Sequence, residues 1–258
     1  MPAILEAQGL TKMFGAVTAA SNISAAIEKD SVVGLIGTNG AGKTTFINMI
    51  TGYLKPDTGT IRYEGRDITH LPPREITRLG ICRSFQIPQL YGSLSVHENM
   101  LIGIGIVLQN AGRGGFFSRG DADVPGYDKP AEEVADHLLG RFGLADYRDR
   151  NAQVLPGGVR KLLDIALTMV AKPRVLLLDE PTSGVSAEEK FGIMQMVLDA
   201  VRAEGATVLF VEHDMEVVSR FAQRVLAFYD GRVIADAAPE IALADPDVKR
   251  HVVGRARG

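Results

Sequence analysis

Lys43 and Thr44 close the stretch Gly37-Thr38-Asn39-Gly40-Ala41-Gly42-Lys43-Thr44, which reads as a glycine, four residues, then Gly-Lys-Thr. That spacing is a phosphate loop: the glycines turn the backbone tightly and bring several N–H groups onto a polyphosphate. Gly37, Asn39, Gly40, Ala41, Gly42, Lys43, Thr44 and Thr45 are the expected contacts. A helix opening at this point turns its positive end toward the anion. Lys43 supplies a cation to the β- and γ-phosphates, and the Thr44 hydroxyl can ligate a bridging Mg²⁺. Four further residues suit the same chemistry. Asp179 can hold Mg²⁺ or its water, and Glu180 can orient the water that attacks the γ-phosphate. His213 can donate from a neutral imidazole to the γ-phosphate, and Gln86 can offer a side-chain carbonyl oxygen to the metal or its water.

These residues must be carried by strand ends. An apolar run from Ser31 to Ile36 precedes the loop, and a helical pattern begins near Thr45. Val175-Leu176-Leu177-Leu178 suits a strand buried on both faces of a parallel sheet, and it delivers Asp179-Glu180 at its carboxyl end, where open α/β sheets bind ligands. Thr207 to Val211 delivers Glu212-His213-Asp214, and Ile81 to Phe85 delivers Gln86. Ile4 to Asp30 reads as short alternating strands with a turn at Phe14-Gly15. Phe14 stands where an aromatic ring could stack on an adenine, although a lone aromatic in such a segment more often serves a core. Lys55-Pro56-Asp57-Thr58-Gly59 reads as a turn. Between Leu90 and Gln153 helical periodicity takes over, interrupted by a loop from Ser118 to Pro130. The expected fold is α/β, with a core from residues 1–89 and 159–258 and an inserted helical subdomain over 90–158.

Composition narrows the function. The 258 residues are 46% hydrophobic and 23% charged, with a net charge of −3. No general basic field exists for nucleic acid, so no nucleic-acid partner is expected. Cys82 is the one cysteine and fits a reducing compartment. The run Leu101 to Leu108 is far short of the roughly 20 residues that span a bilayer. Met1 to Glu6 lacks the basic start and apolar stretch of a secretory signal.

Phe14, the loop Gly37 to Thr44, Gln86, Leu155-Pro156-Gly157-Gly158, Asp179-Glu180-Pro181 and His213 stand in an order and spacing that resembles the ATP-binding subunits of ABC transporters. Leu71-Pro72-Pro73, Arg78-Leu79-Gly80-Ile81, Arg83-Ser84-Phe85-Gln86 and Glu212-His213-Asp214-Met215 look like the branched-chain amino acid importer group. The resemblance implies an ATPase with a RecA-like P-loop NTPase core, a small antiparallel β portion and an α-helical subdomain. It implies ATP and Mg²⁺ as ligands, with Phe14 the adenine-stacking ring. It further implies a head-to-tail dimer, homo- or heterodimeric, in which Gly157 and Gly158 serve the nucleotide of the opposite subunit. The remaining partners would be transmembrane permease subunits, touched near Gln86, and indirectly a solute-binding protein. Such a chain would lie peripherally on the cytoplasmic face of the inner membrane. Alternatives are an exporter or lipid-extraction motor, a soluble ABC protein of DNA repair or translation, and a non-hydrolysing regulatory binder.

Two departures stand out. The usual Leu-Ser-Gly-Gly-Gln turn reads Leu155-Pro156-Gly157-Gly158-Val159, and Pro156 brings neither hydroxyl nor N–H. After Pro181-Thr182-Ser183-Gly184, Val185-Ser186-Ala187 replaces the usual Leu-Asp/Asn-Pro. The resemblance implies that both act on the opposite subunit's nucleotide, which leaves two expectations: an asymmetric heterodimer, or a homodimer that tolerates the changes.

Overall fold

A computed structural model describes residues 3–84, 90–112 and 123–254. Two compact units emerge. The first comprises the described residues of Met1–Ile81, Val175–Glu180 and Thr207–Gly258. Its antiparallel sheet has the order β2-β1-β4-β5, from β1 (Ala3–Phe14), β2 (Val17–Glu28), β4 (Thr58–Tyr63) and β5 (Arg66–Asp67). Alternate side chains of β2 from Ile23 to Ile27 are buried, and with Leu5, Ala7 and Leu10 of β1 they join this sheet to the core.

The larger sheet runs β10-β9-β3-β8-β7-β6. Its strands are β3 (Val32–Gly37), β6 (Ile81–Arg83), β7 (Val175–Asp179), β8 (Thr207–Val211), β9 (Arg224–Tyr229) and β10 (Arg232–Ala237). Every residue of β3 and β8 is buried, as befits parallel strands covered on both faces. Register then fixes the site: Leu35 pairs with Val211, and Val211 pairs with Asp179. The carboxyl ends of β3, β8 and β7 therefore share one edge. Helices α1 (Lys43–Ile50), α2 (Pro73–Arg78), α7 (Met215–Phe221) and α8 (Pro239–Ala244) belong to this unit.

The second unit comprises the described residues of Cys82–Arg174 and Pro181–Ala206. Its helices are α3 (Val96–Asn110), α4 (Ala131–Arg141), α5 (Gly157–Met169) and α6 (Lys190–Ala203). Ser95 and Glu98 form a capping box that starts α3. Asn99 is buried and fastens the chain before α3 by accepting from Tyr91 N–H and donating to the Tyr91 and Ser95 carbonyls. The sequence reading ends the helical part at residue 158, whereas α5 and α6 fall inside this unit. The reason is packing: Leu163, Ala166 and Met169 of α5 and Met194, Val197 and Val201 of α6 are buried, and α5 lies against α3, α4 and α6. Among the described residues no helix is long and apolar enough to cross a membrane.

Candidate active site

Gly37 ends β3 with φ +150°, and a Cβ there would come within 2.5 Å of the Phe228 carbonyl oxygen. Gly42 is the N-cap of α1 in the left-handed region, at φ 106°, and a Cβ would lie 2.9 Å from the Ala19 carbonyl oxygen. Both positions require glycine, because the loop is wedged between β9 and β2. No side chain caps α1, so its first N–H groups are left to a ligand, as at other anion-binding helix ends. The Lys43 side chain is buried, with Nζ donating to the carbonyls of Gly37 (2.5 Å) and Thr38 (3.0 Å). Burial lowers its pKa below the usual lysine value, and attraction to Glu180 and Asp179 offsets that only in part. Thr44 is exposed and Thr45 partly so, both in the first turn of α1.

The facing strand ends complete the cluster. Glu180 adopts φ +48°, which costs a residue with a Cβ roughly 1–2 kcal/mol. Its N–H donates to the Val211 carbonyl at 3.1 Å, so the sheet ladder holds this strained turn. Glu180 Oε1 lies 3.3 Å from His213 Nε2. The His213 N–H donates to the carboxylate of buried Glu212 at 3.2 Å. Asp214 caps α7 by accepting from the N–H groups of Glu216 and Val217. His213 thus sits between a strand end and a helix cap, and little backbone freedom is left to it. Lys43, Asp179, Glu180 and His213 form one charged cluster of cation, acids and imidazole, suited to holding a polyphosphate and orienting a water beside it. Gln86 lies outside the described residues.

Phe14 is half exposed at the tip of the β1–β2 hairpin, with the Lys12 ammonium 5.8 Å from its ring centroid. One supporting residue escaped the sequence reading. Gly231, in the β9–β10 turn, donates its N–H to the Ala41 carbonyl (3.1 Å) and accepts from Ser21 N–H (2.8 Å). The Asp230-Gly231 turn is visible in sequence; its contact with a loop nearly two hundred residues away is not.

Within the second unit, Gly157 and Gly158 open α5, and Pro156 is the N-cap at φ −56°, ψ 153°, with no side-chain cap. A Cβ on Gly158 would meet Ile193 Cδ1 at 2.5 Å, and one on Gly157 would lie 3.3 Å from the Gly184 carbonyl oxygen. Ser186 is engaged locally. Its hydroxyl donates to Glu189 Oε2 (2.9 Å) and accepts from Glu189 N–H (3.3 Å).

Comparison with known proteins decides the family. The family described as ABC transporter matches residues 20–183. The chain belongs to the ABC transporter family. It is 34% identical, over 98% of both chains, to the high-affinity branched-chain amino acid transport ATP-binding protein BraF of Pseudomonas aeruginosa. The corresponding protein LivG of Escherichia coli gives the same identity and coverage. A probable LivG of Archaeoglobus fulgidus is 35% identical over 97% of this chain and 95% of that protein. Among solved structures, an ATP-binding cassette of an ABC transporter in its ADP conformation superimposes with a TM-score of 0.81 at 31% identity, covering 97% of this chain and 98% of that one. A nucleotide-free cassette gives 0.80 at 31% identity, covering 96% and 97%. The chain is an ABC-type ATPase with the RecA-like cassette fold.

Proposed function

We propose that residues 1–258 act as one nucleotide-binding domain that hydrolyses ATP to power uptake of branched-chain or other amino acids through separate membrane subunits. The observation that carries the catalytic part is the convergence of Lys43, Asp179, Glu180 and His213 at one edge of a parallel sheet. The likeness to BraF and LivG along nearly the whole chain supports the choice of cargo.

In this reading the N–H groups from Gly37 to Thr45 cradle the phosphates, and Lys43 exchanges the Gly37 and Thr38 carbonyls for β- and γ-phosphate oxygens. Glu180 orients the attacking water, and His213, positioned against Glu180, donates to the γ-phosphate. Phe14 stacks on the adenine. Thr44, Asp179 and Gln86 would hold Mg²⁺, which when bound neutralises charge building on the phosphates. The donor set fits such an ion. Thr44 and Asp179 offer hard oxygens, and no group of three His, Cys, Asp or Glu is found among the described residues. Such hard oxygens would suit a small divalent cation that draws its other ligands from phosphate and water.

Two cassettes would face each other head to tail, with Gly157 and Gly158 offering α5 N–H groups to the other subunit's γ-phosphate. Pro156 and Ser186 make this chain's offering the weaker one, so a heterodimer with a partner bearing an unaltered turn is the favoured assembly. Permease subunits would place it on the cytoplasmic face of the membrane, served indirectly by a solute-binding protein. The test is reconstitution with candidate membrane subunits in vesicles. ATP-driven uptake of leucine, isoleucine or valine is expected, and loss of all uptake on Lys43→Ala. Substituting Glu180 here and the matching acid in the partner should give unequal losses of ATPase; equal losses overturn the asymmetric scheme.

A further inference from the structure

The tip of the β1–β2 hairpin carries three exposed apolar side chains, Met13, Phe14 and Val17. Packing therefore does not set the position of the Phe14 ring. The β1–β4 ladder does not set it either, since its last pair is Thr11 with Thr58, and beyond that β1 has β2 on one side alone. Asp57 takes over where the ladder stops. Its N–H donates to the Thr11 carbonyl at 2.8 Å, its Oδ2 accepts from Met13 N–H at 2.8 Å, and its Oδ1 accepts from Lys12 Nζ at 2.7 Å. The last contact holds the ammonium at the Phe14 ring. The other end of this segment is tied to the phosphate helix, because Leu54 N–H donates to the Asn48 carbonyl of α1 at 2.9 Å.

We infer that Asp57 is a positioning residue for the nucleotide base, fixing the Phe14 platform relative to the phosphate loop. This rests on the reading of Phe14 as the adenine-stacking ring. A nucleotide spans base and phosphate with a short sugar linker, so a base platform contributes affinity only if its distance from the loop is set in advance. Asp57 sets it from the segment that leaves α1. The Lys12 hydrogen bond, then the Met13 N–H, holds its carboxyl below the usual carboxylate range, so the clamp is charged at neutral pH.

The experiment compares wild type with Asp57→Ala, Asp57→Asn and Phe14→Ala in the full chain. ATP turnover gives KM and kcat, and competition against a fluorescent ATP analogue gives affinities for ATP and for inorganic tripolyphosphate. Asp57→Ala is expected to raise KM for ATP about three- to tenfold with kcat held, and to leave tripolyphosphate affinity alone. Asp57→Asn should fall between, since it keeps an acceptor for Met13 N–H and loses the pairing with Lys12. Phe14→Ala should show the same pattern as Asp57→Ala, more strongly. If Phe14→Ala raises KM and neither Asp57 variant does, the positioning role is overturned while the base platform stands. If Phe14→Ala changes nothing, the platform reading itself fails. An equal loss of ATP and tripolyphosphate affinity in Asp57→Ala marks general unfolding and overturns the inference.

Discussion

The phosphate loop and the turn before α5 are both glycine-rich helix openings with no side-chain cap, yet they are built differently. At α1 the N-cap is Gly42 in a left-handed conformation, wedged under Ala19 and braced by Gly231, with the buried Lys43 ammonium supplied by the loop itself. At α5 the N-cap is Pro156 in an extended conformation, and the packing comes from Ile193 and the Gly184 carbonyl. The first opening joins backbone donors to a cation and strand-end acids. The second offers backbone donors without the hydroxyl that a serine would add. An anion site that must act alone needs charge within reach, whereas one that completes another subunit's site can work with dipoles and N–H groups, at lower affinity.

The sharpest break in that comparison comes from Glu180→Gln. Loss of a water-orienting carboxylate should cut phosphate release about 10²–10⁴-fold while ATP still binds, checked by single-turnover hydrolysis beside equilibrium binding. Lys43→Ala should lower turnover about 10²–10³-fold and weaken ATP binding as well, because the cation is removed from the site altogether. A Gly157→Ala variant that cost as much ATP affinity in the isolated chain as Lys43→Ala would abolish the distinction between a self-sufficient site and a complementing one.

That contrast was only partly legible in the sequence. The phosphate loop is contiguous, and β3, β7 and β8 announce themselves as apolar runs ended by polar residues, so Lys43, Asp179, Glu180 and His213 could be named. Their common edge depends on the Leu35–Val211–Asp179 register, which a parallel α/β order implies. Asp57 reads in sequence as a turn residue and Gly231 carries no signal of its own beyond its turn, because their function lies in contacts with segments distant in sequence. Tertiary burial, not local periodicity, groups α5 and α6 with the second unit, and that is not legible in the sequence. Ser186 is a different case. Ser186 and Glu189 stand three residues apart, so their hydrogen bonds belong to the local turn before α6 and need no distant contact.

Two substitutions sharpen the comparison from the weaker side. Pro156→Ser restores a hydroxyl at the α5 N-cap, and one charge-assisted hydrogen bond of about 1.5 kcal/mol corresponds to roughly tenfold. In the proposed dimer, turnover at the site that this turn would serve should rise by up to that factor, while nucleotide affinity of the isolated chain stays constant. Ser186→Ala removes the Ser186–Glu189 hydrogen bonds of the turn before α6 and should lower stability by about 0.5–1 kcal/mol, read as a fall of about 1–3 °C in Tm. A matching loss of ATP binding by the isolated chain would show that Ser186 serves this chain's own site.

The smallest effect separates the two helix openings by pH. Lys43 has a folded-state pKa below its unfolded value, because burial outweighs the pull of Glu180 and Asp179. Between the lowered value and about 10.4 the unfolded chain binds a proton that the folded chain does not, so stability from this group rises with pH across that interval. The cost of burying the ammonium is therefore borne at neutral pH and relieved in alkali. Wild type, free of nucleotide, should gain Tm relative to Lys43→Met as pH is raised through the lowered Lys43 pKa toward about 10.4. ATP affinity should fall over the same range, since a neutral amine no longer attracts phosphate. Pro156→Ser, which places no titratable group at α5, should leave the difference between wild type and Lys43→Met unchanged at every pH. Opposite movements of apo stability and nucleotide affinity are what a single buried cation facing its ligand must produce; parallel movements would place the titrating group elsewhere.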